Sequence, residues 1–291
     1  MANLSEWTHL IRFIAVNDDT VRLGQLVDPT RDVGLDTLEN IPVFAYVIQG
    51  SIYDGKITDE KLQVQQLLSP VDPQHCPFVR CIGLNYKRHA EEARIPIPDV
   101  PAVFAKPRTA IANPHPSTIN IPICAQDGTS DYEAELAVVI GRAARDITAQ
   151  EAPSYILGYT AANDVSARRH QMKSSMPGFS KGMDSSCPLG PVLVSNTAIE
   201  NPQNLSIRSL YNGDEVQDGN TGDMIFGVYE LLAYLSQGTT LEPGSIVLTG
   251  TPEGIGFFRN PRISLNDGDL IQIQIQGIGT LASRIYYEED H

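Results

Sequence analysis

Glu133 and Glu135 stand two apart in Asp131-Tyr132-Glu133-Ala134-Glu135, at the mouth of the apolar run Leu136-Ala137-Val138-Val139-Ile140. In an extended chain residues i and i+2 share a face, so the two carboxylates are paired. Like charges held side by side suit a hard divalent cation such as Mg²⁺, which takes oxygen ligands and keeps positions for water or substrate. Asp164, in Asn163-Asp164-Val165-Ser166 after the strand-like Tyr159-Thr160-Ala161-Ala162, can supply a third carboxylate. Each motif has a plainer alternative. An isolated Glu-x-Glu at a strand end commonly faces solvent, and an Asn-Asp pair before Ser commonly caps a helix. His170, further along, reads as a surface helical histidine.

In Asn85-Tyr86-Lys87-Arg88-His89-Ala90-Glu91-Glu92, His89 and Glu92 are three apart and meet on one face of a helix. A carboxylate that orients an imidazole and raises its basicity makes a general base able to activate water near neutral pH; the alternative is an exposed ion pair on a polar helix. Pro96, Pro98 and Pro101 follow, which makes this helix a candidate lid. Lys181, in a glycine-bearing loop that runs to Pro191, is placed to stabilise a developing oxyanion, and Thr249-Gly250-Thr251-Pro252 offers a hydroxyl and backbone N–H groups to a substrate carboxylate. Plain turns and a solvated lysine are the alternatives. The stretch through Gly256 has neither the Gly-Lys-Ser/Thr ending of a phosphate loop nor the GxGxxG order of a dinucleotide fingerprint, so nucleotide binding has no support.

The elements that must hold these residues are mostly strands. Residues 10–16 and 21–27 flank the turn-prone Asn17-Asp18-Asp19 as a hairpin, and a polar helix is expected over 59–68. Residues 69–77, with Pro70, Pro73 and Pro77, read as a linker, which divides the chain into a small β-rich domain over 1–72 and a catalytic domain over 73–291. Strands are expected over 79–84, 135–140, 191–194, 205–210, 245–249 and 270–275, with helices over 86–93, 149–156 and 228–237, the last ended by Gly238. The class is α+β, mainly β, without alternating βαβ units.

Composition narrows the function classes. A chain of 291 residues with 42% hydrophobic residues, 23 Gly and 20 Pro is an ordinary globular protein rich in turns. A net charge of −14 argues against tracking along nucleic acid and against anionic membrane surfaces. No run reaches bilayer-spanning length. Cys76, Cys81, Cys124 and Cys187 form no CxxC pair, and residues 1–13 show no leader pattern, so a reduced, cytoplasmic protein is expected. The C-terminal Glu288-Glu289-Asp290-His291 matches no retention signal.

Taken in order, the motifs resemble the fumarylacetoacetate hydrolase family, and especially its branch of acylpyruvate hydrolases and oxaloacetate decarboxylases. The stretches that carry the resemblance are Gly83-Leu84-Asn85-Tyr86 with His89 and Glu92, Phe104-Ala105-Lys106-Pro107, residues 131–141, 158–171 and 181–191, Asn212-Gly213 through Gln217 to Met224-Ile225-Phe226, and residues 249–256. The resemblance implies a mixed β-roll catalytic domain with a small N-terminal β-rich domain, a homodimer, and Mg²⁺ or Mn²⁺ on Glu133, Glu135 and Asp164. It implies a water-activating pair in His89 and Glu92, polar substrate contacts from Lys181 and Gln171, and a carboxylate contact from Thr251. The activity it implies is cleavage of a carbon–carbon bond beside a carbonyl in a 2-oxo acid through an enolate held by the metal, as acylpyruvate hydrolysis or oxaloacetate decarboxylation. Keto–enol tautomerisation, isomerisation or decarboxylation of a specialised metabolite would use the same site. Two positions depart from the commoner family wording: Arg169, where an acidic residue is frequent, and Met183, where an aromatic often stands. A non-catalytic metal-binding protein of the same fold is the rival from another class, opposed by the joint presence of His89, Glu92, Lys181 and three acids. A sugar-binding β-protein is opposed by the single Trp7.

Overall fold

The run that follows Glu133 folds as a strand, Ala134–Ile140, in which every residue is buried. Its faces enter two different cores: Leu136, Val138 and Ile140 pack into one cluster, Ala137 and Val139 into the other. A strand covered on both faces needs apolar residues at consecutive positions, which is why its sequence does not alternate. The computed structural model describes residues 6–16 and 18–289. Residues 1–5 of the N-terminal stretch, Asn17 of the expected turn, and the C-terminal Asp290 and His291 lie outside the described residues.

Strand Ala134–Ile140 pairs antiparallel with Ile156–Asn163 on one side and with Ile246–Leu248 on the other. Ile246–Leu248 in turn pairs parallel with Val79–Gly83, and Ile156–Asn163 pairs antiparallel with Cys187–Ser195. One end of this eleven-stranded sheet therefore collects Glu133, Asp164, the segment after Leu248, the start of Cys187–Ser195, and the helix Lys87–Ala93 that follows Val79–Gly83. The helix stops where Arg94 turns left-handed (φ 55°), two residues before Pro96. A five-stranded sheet, with Ser206–Tyr211, Leu270–Ile275 and Gly279–Tyr287 at its centre, and the helix Val228–Leu235 bury the larger core against the first sheet.

The mainly β expectation holds, and Leu270–Ile275 falls where it was expected. The hairpin forms as His9–Ala15 and Asp18–Leu26. The first of these strands also pairs with Cys187–Ser195, through His9 with Val194 and Leu10 with Leu193, so the N-terminal strands extend the large sheet. In the proline-rich stretch 69–77, Ser69, Val71 and Cys76 are buried. Two helices differ from expectation. Residues 59–68 belong to a thirteen-residue strand, Lys56–Leu68. Glu, Lys, Leu and Gln favour helix intrinsically, but Leu62, Val64 and Gln66 alternate with exposed Lys61, Gln63 and Gln65, and strands Phe44–Gln49 and His9–Ala15 supply the ladder bonds. The helix expected over 149–156 is one 3-10 turn, Ala152–Tyr155, which leads directly into a strand at Ile156.

Candidate active site

Strand pairing brings the three acids together. Ala134 pairs with Asn163, Asn163 Oδ1 accepts the N–H of Glu133 at 3.0 Å, and the N–H of Asp164 donates to the Glu133 carbonyl at 2.9 Å. Ligand oxygens of Glu133, Glu135 and Asp164 lie within 4.8 Å of one another, and all three residues are buried. The acids do not face solvent, and Asp164 caps no helix: the four-residue helix Arg168–Gln171 is entered from Ala167.

Cations compensate this charge unevenly. Lys181 Nζ donates to Glu133 Oε2 and to Asp164 Oδ2, each at 2.7 Å, and Lys106 Nζ lies 2.7 Å from Asp164 Oδ1. Arg168 joins Asp131 to Glu133, its Nη2 being 2.8 Å from Asp131 Oδ2 and 2.7 Å from Glu133 Oε1. Glu135 has no cationic partner at ion-pair distance among the described residues; its Oε2 accepts the N–H of Gly250 at 2.6 Å. Gly250 has φ +91°, and a Cβ there would stand 2.7 Å from Asn85 Cβ, so only glycine brings its backbone to this carboxylate without strain. Four buried carboxylates thus face three buried cations.

The ionisation follows. Burial opposes the charge on Glu133, but Lys181 and Arg168 outweigh it and hold the carboxyl down to about 2. Burial, then the charges of Asp164 and Glu133, push Glu135 well above the ordinary carboxylate range. Burial disfavours the Lys181 ammonium as well, yet Asp164 and Glu133 keep it above its ordinary value. This donor set fits a hard divalent cation: three carboxylates converge, an ammonium already bridges two of them, and the third lacks a counter-charge.

The His89 side chain is only 10% exposed, so the pair with Glu92 is no solvated surface bridge. Glu92 Oε2 lies 3.0 Å from His89 Nδ1, and Glu92 Oε1 accepts the N–H of Gly254 at 3.0 Å. A carboxylate on Nδ1 fixes the tautomer and leaves Nε2 as the basic nitrogen. Asn85 ties the helix to the opposite loop, donating from Nδ2 to the Thr249 carbonyl at 2.8 Å and to the Phe226 carbonyl at 3.1 Å.

His89, Glu133, Gln171, Lys181 and Thr251 line one cavity of about 280 Å³. Glu135 and Asp164 lie beside Glu133, and Glu92 holds His89. Gln171 Oε1 accepts from Arg168 Nη1 at 3.0 Å, which leaves its amide nitrogen for the cavity. Thr251 Oγ1 accepts from Gln217 Nε2 at 2.8 Å, so its own proton is available to donate. Gln217 is fixed by accepting from the Ala134 N–H at 3.0 Å and from Ser209 Oγ at 2.7 Å.

A family model described as the C-terminal part of fumarylacetoacetate hydrolase matches residues 78–286. The chain belongs to the fumarylacetoacetate hydrolase family. Among curated relatives of this family, a caffeoylpyruvate hydrolase of Neonothopanus nambi is 43% identical over 98% of this chain and 95% of its own length. A mitochondrial oxaloacetate tautomerase of Homo sapiens is 40% identical over 71% of this chain and 66% of its own length. The crystal structure of a 2-hydroxyhepta-2,4-diene-1,7-dioate isomerase from Mycobacterium marinum superposes with a TM-score of 0.80 at 31% identity, over 97% of this chain and 100% of that one. These place the chain among fumarylacetoacetate hydrolase family enzymes and bear out the fold class. Sequence reasoning assigned no role to Lys106, Asp131, Arg168 or Gln217. A lysine at the end of a strand, in Phe104-Ala105-Lys106-Pro107, and an arginine three before Gln171 were the available signals, but neither shows by spacing alone that it will be buried against acids.

Proposed function

We propose that this chain is a Mg²⁺- or Mn²⁺-dependent hydrolase of acylpyruvates, which it cleaves to pyruvate and a carboxylic acid. The observation that carries this is the juxtaposition, on one cavity, of the carboxylate trio with the His89–Glu92 pair. Glu133, Glu135 and Asp164 would hold the cation, which supplies Lewis-acid charge to the 2-oxo acid when bound. Lys181, Gln171 and Thr251 present donors to the substrate's carboxylate and carbonyl oxygens. His89 Nε2 takes a proton from water, and Glu92 stabilises the imidazolium that forms. The water oxygen bonds to the acyl carbon; the bond between that carbon and the pyruvate methylene breaks; the electron pair stays on the methylene, which takes the proton back and leaves as pyruvate. Full-length similarity to a caffeoylpyruvate hydrolase supports hydrolysis.

Tautomerisation or decarboxylation of oxaloacetate is the second reading, favoured by similarity to an oxaloacetate tautomerase over 71% of this chain. Decarboxylation needs no delivered water, whereas tautomerisation would still use His89 as the base that carries a proton between carbon and oxygen; in neither would the pair activate water. The deciding experiment incubates chelator-stripped protein, with and without Mg²⁺ or Mn²⁺, on acetylpyruvate and on oxaloacetate. Metal-dependent release of pyruvate and acetate from acetylpyruvate supports the hydrolase; turnover of oxaloacetate alone replaces it with the second reading. The homodimer implied by the family resemblance, read by light scattering, and a cytoplasmic location belong to the same proposal. Among the described residues no helix is long and apolar enough to cross a membrane.

A further inference from the structure

The cavity lined by Glu133 carries two unlike sets of side chains. Glu133, Lys181, Arg168, Gln171 and Thr251 are its polar half by composition. The other is a wall of large apolar side chains that includes Ile95, Met172, Phe257 and Phe258, and three of these stand open to solvent: Ile95 at 51%, Met172 at 73% and Phe258 at 39% exposure. Large apolar side chains gathered around the mouth of a polar site are a surface waiting to be covered. The wall begins at the base: the Phe258 ring centroid is 5.9 Å from that of His89, and Phe257 packs edge-on to Phe258 at 5.3 Å. It is also fixed relative to the carboxylates. The N–H of Gly256 donates to Asp131 Oδ1 at 2.8 Å and that of Phe257 to Asp131 Oδ2 at 3.1 Å, while the same Asp131 holds Arg168.

We propose that this wall is the acyl subsite and that it takes an uncharged aromatic acyl group, with Phe258 as the residue that selects it. The inference rests on the acylpyruvate hydrolase reading. With the pyruvate end on the polar half and the acyl carbonyl at His89, the substituent beyond that carbonyl meets Phe258. An aromatic ring there covers the exposed Phe258, Met172 and Ile95 and gains edge or offset contacts with two phenyl rings. A methyl group leaves the wall wet. A second carboxylate on the acyl group finds no spare cation among the described lining residues, because Arg168 is shared by Asp131 and Glu133, and Lys181, which bridges Glu133 and Asp164, gives its remaining N–H to the pyruvate end.

The test compares kcat/KM of the Mn²⁺-loaded enzyme on benzoylpyruvate, acetylpyruvate and fumarylpyruvate. The expected order is benzoyl, acetyl, fumaryl, with about a tenfold advantage for benzoyl over acetyl. Hydrolysis of acetylpyruvate or fumarylpyruvate as good as that of benzoylpyruvate overturns the aromatic subsite and leaves the hydrolase reading standing; hydrolysis of none of the three overturns both. Phe258→Ala should cost benzoylpyruvate more than acetylpyruvate, chiefly in KM, with Phe258→Tyr restoring the preference. An equal loss on both substrates means that Phe258 serves only to seat His89 and removes it as the selector. Met172→Ala, at a side chain 73% exposed and outside both cores, should shift the same ratio in the same direction, and an unchanged ratio in both variants sinks the subsite.

Discussion

At the scale of single residues the site divides into groups that carry charge and groups that aim it. His89 is held through Nδ1 by Glu92, and Glu92 in turn by the N–H of Gly254. Replacing His89 by Gln removes the base while leaving the carboxylate trio in place, so hydrolase kcat should fall by roughly a hundredfold to ten-thousandfold with the Mn²⁺ dissociation constant unchanged by calorimetry. Glu92→Gln should lower kcat less, because the ring stays but loses its counter-charge. Equal kcat in His89→Gln and wild type would remove the dyad from the mechanism. The pairing of the candidate residues was legible in the sequence because their types and spacing are local: Glu133 and Glu135 stand two apart in an extended run, and His89 and Glu92 share a helix face. Lys106 and Asp164 were not legible as a pair. They are 58 positions apart, and only the folded sheet puts the Lys106 ammonium 2.7 Å from the Asp164 carboxylate.

At the scale of elements, the strand pairings around Ala134–Ile140 set the positions and the loops finish them. The segment after Ile246–Leu248 must turn sharply enough to offer the Gly250 N–H to Glu135 while passing Asn85. Gly250→Ala puts a Cβ at φ +91° and against Asn85 Cβ, at a cost of about 1–3 kcal/mol. The expected result is a lower thermal midpoint together with weaker Mn²⁺ binding, since the displaced loop no longer holds Glu135. A midpoint drop with metal affinity intact would show that the loop serves the fold alone. The strands were readable where apolar residues run on, as in 135–140, or alternate with polar ones, as in 270–275, because burial on the sheet dictates both patterns. Lys56–Leu68 was not, because helix-favouring side chains cover an alternation whose meaning depends on partner strands remote in sequence.

At the scale of the whole molecule, titration and cation binding act on the same stability. Burial holds His9 below the ordinary imidazole value, and burial with the Arg284 charge does the same for His115. Both therefore take up protons more readily unfolded than folded, so stability should be complete above pH 6.5 and decline as the pH falls through that value. Aspartates held low, such as Asp269, where burial is outweighed by bonds from Tyr211 and Asn212, add a second loss only below their ordinary value of 3.8. Thermal melts of the His9→Gln, His115→Gln double variant should lose the first decline and keep the second; an unchanged profile would refute the assignment. The active-site acids pull the other way. Glu135 is buried beside two like charges with no cation of its own among the described residues, so the metal-free fold carries a cost that binding a cation relieves. Glu135→Gln removes that charge and keeps the shape, and near neutral pH the metal-free variant should melt above metal-free wild type. Saturating Mn²⁺ at a hundredfold excess over its dissociation constant should stabilise wild type by about 2.7 kcal/mol and the variant far less. A variant that melts lower than wild type without metal, or that gains as much from Mn²⁺, would mean that Glu135 is held by the fold for its own sake and not for a cation.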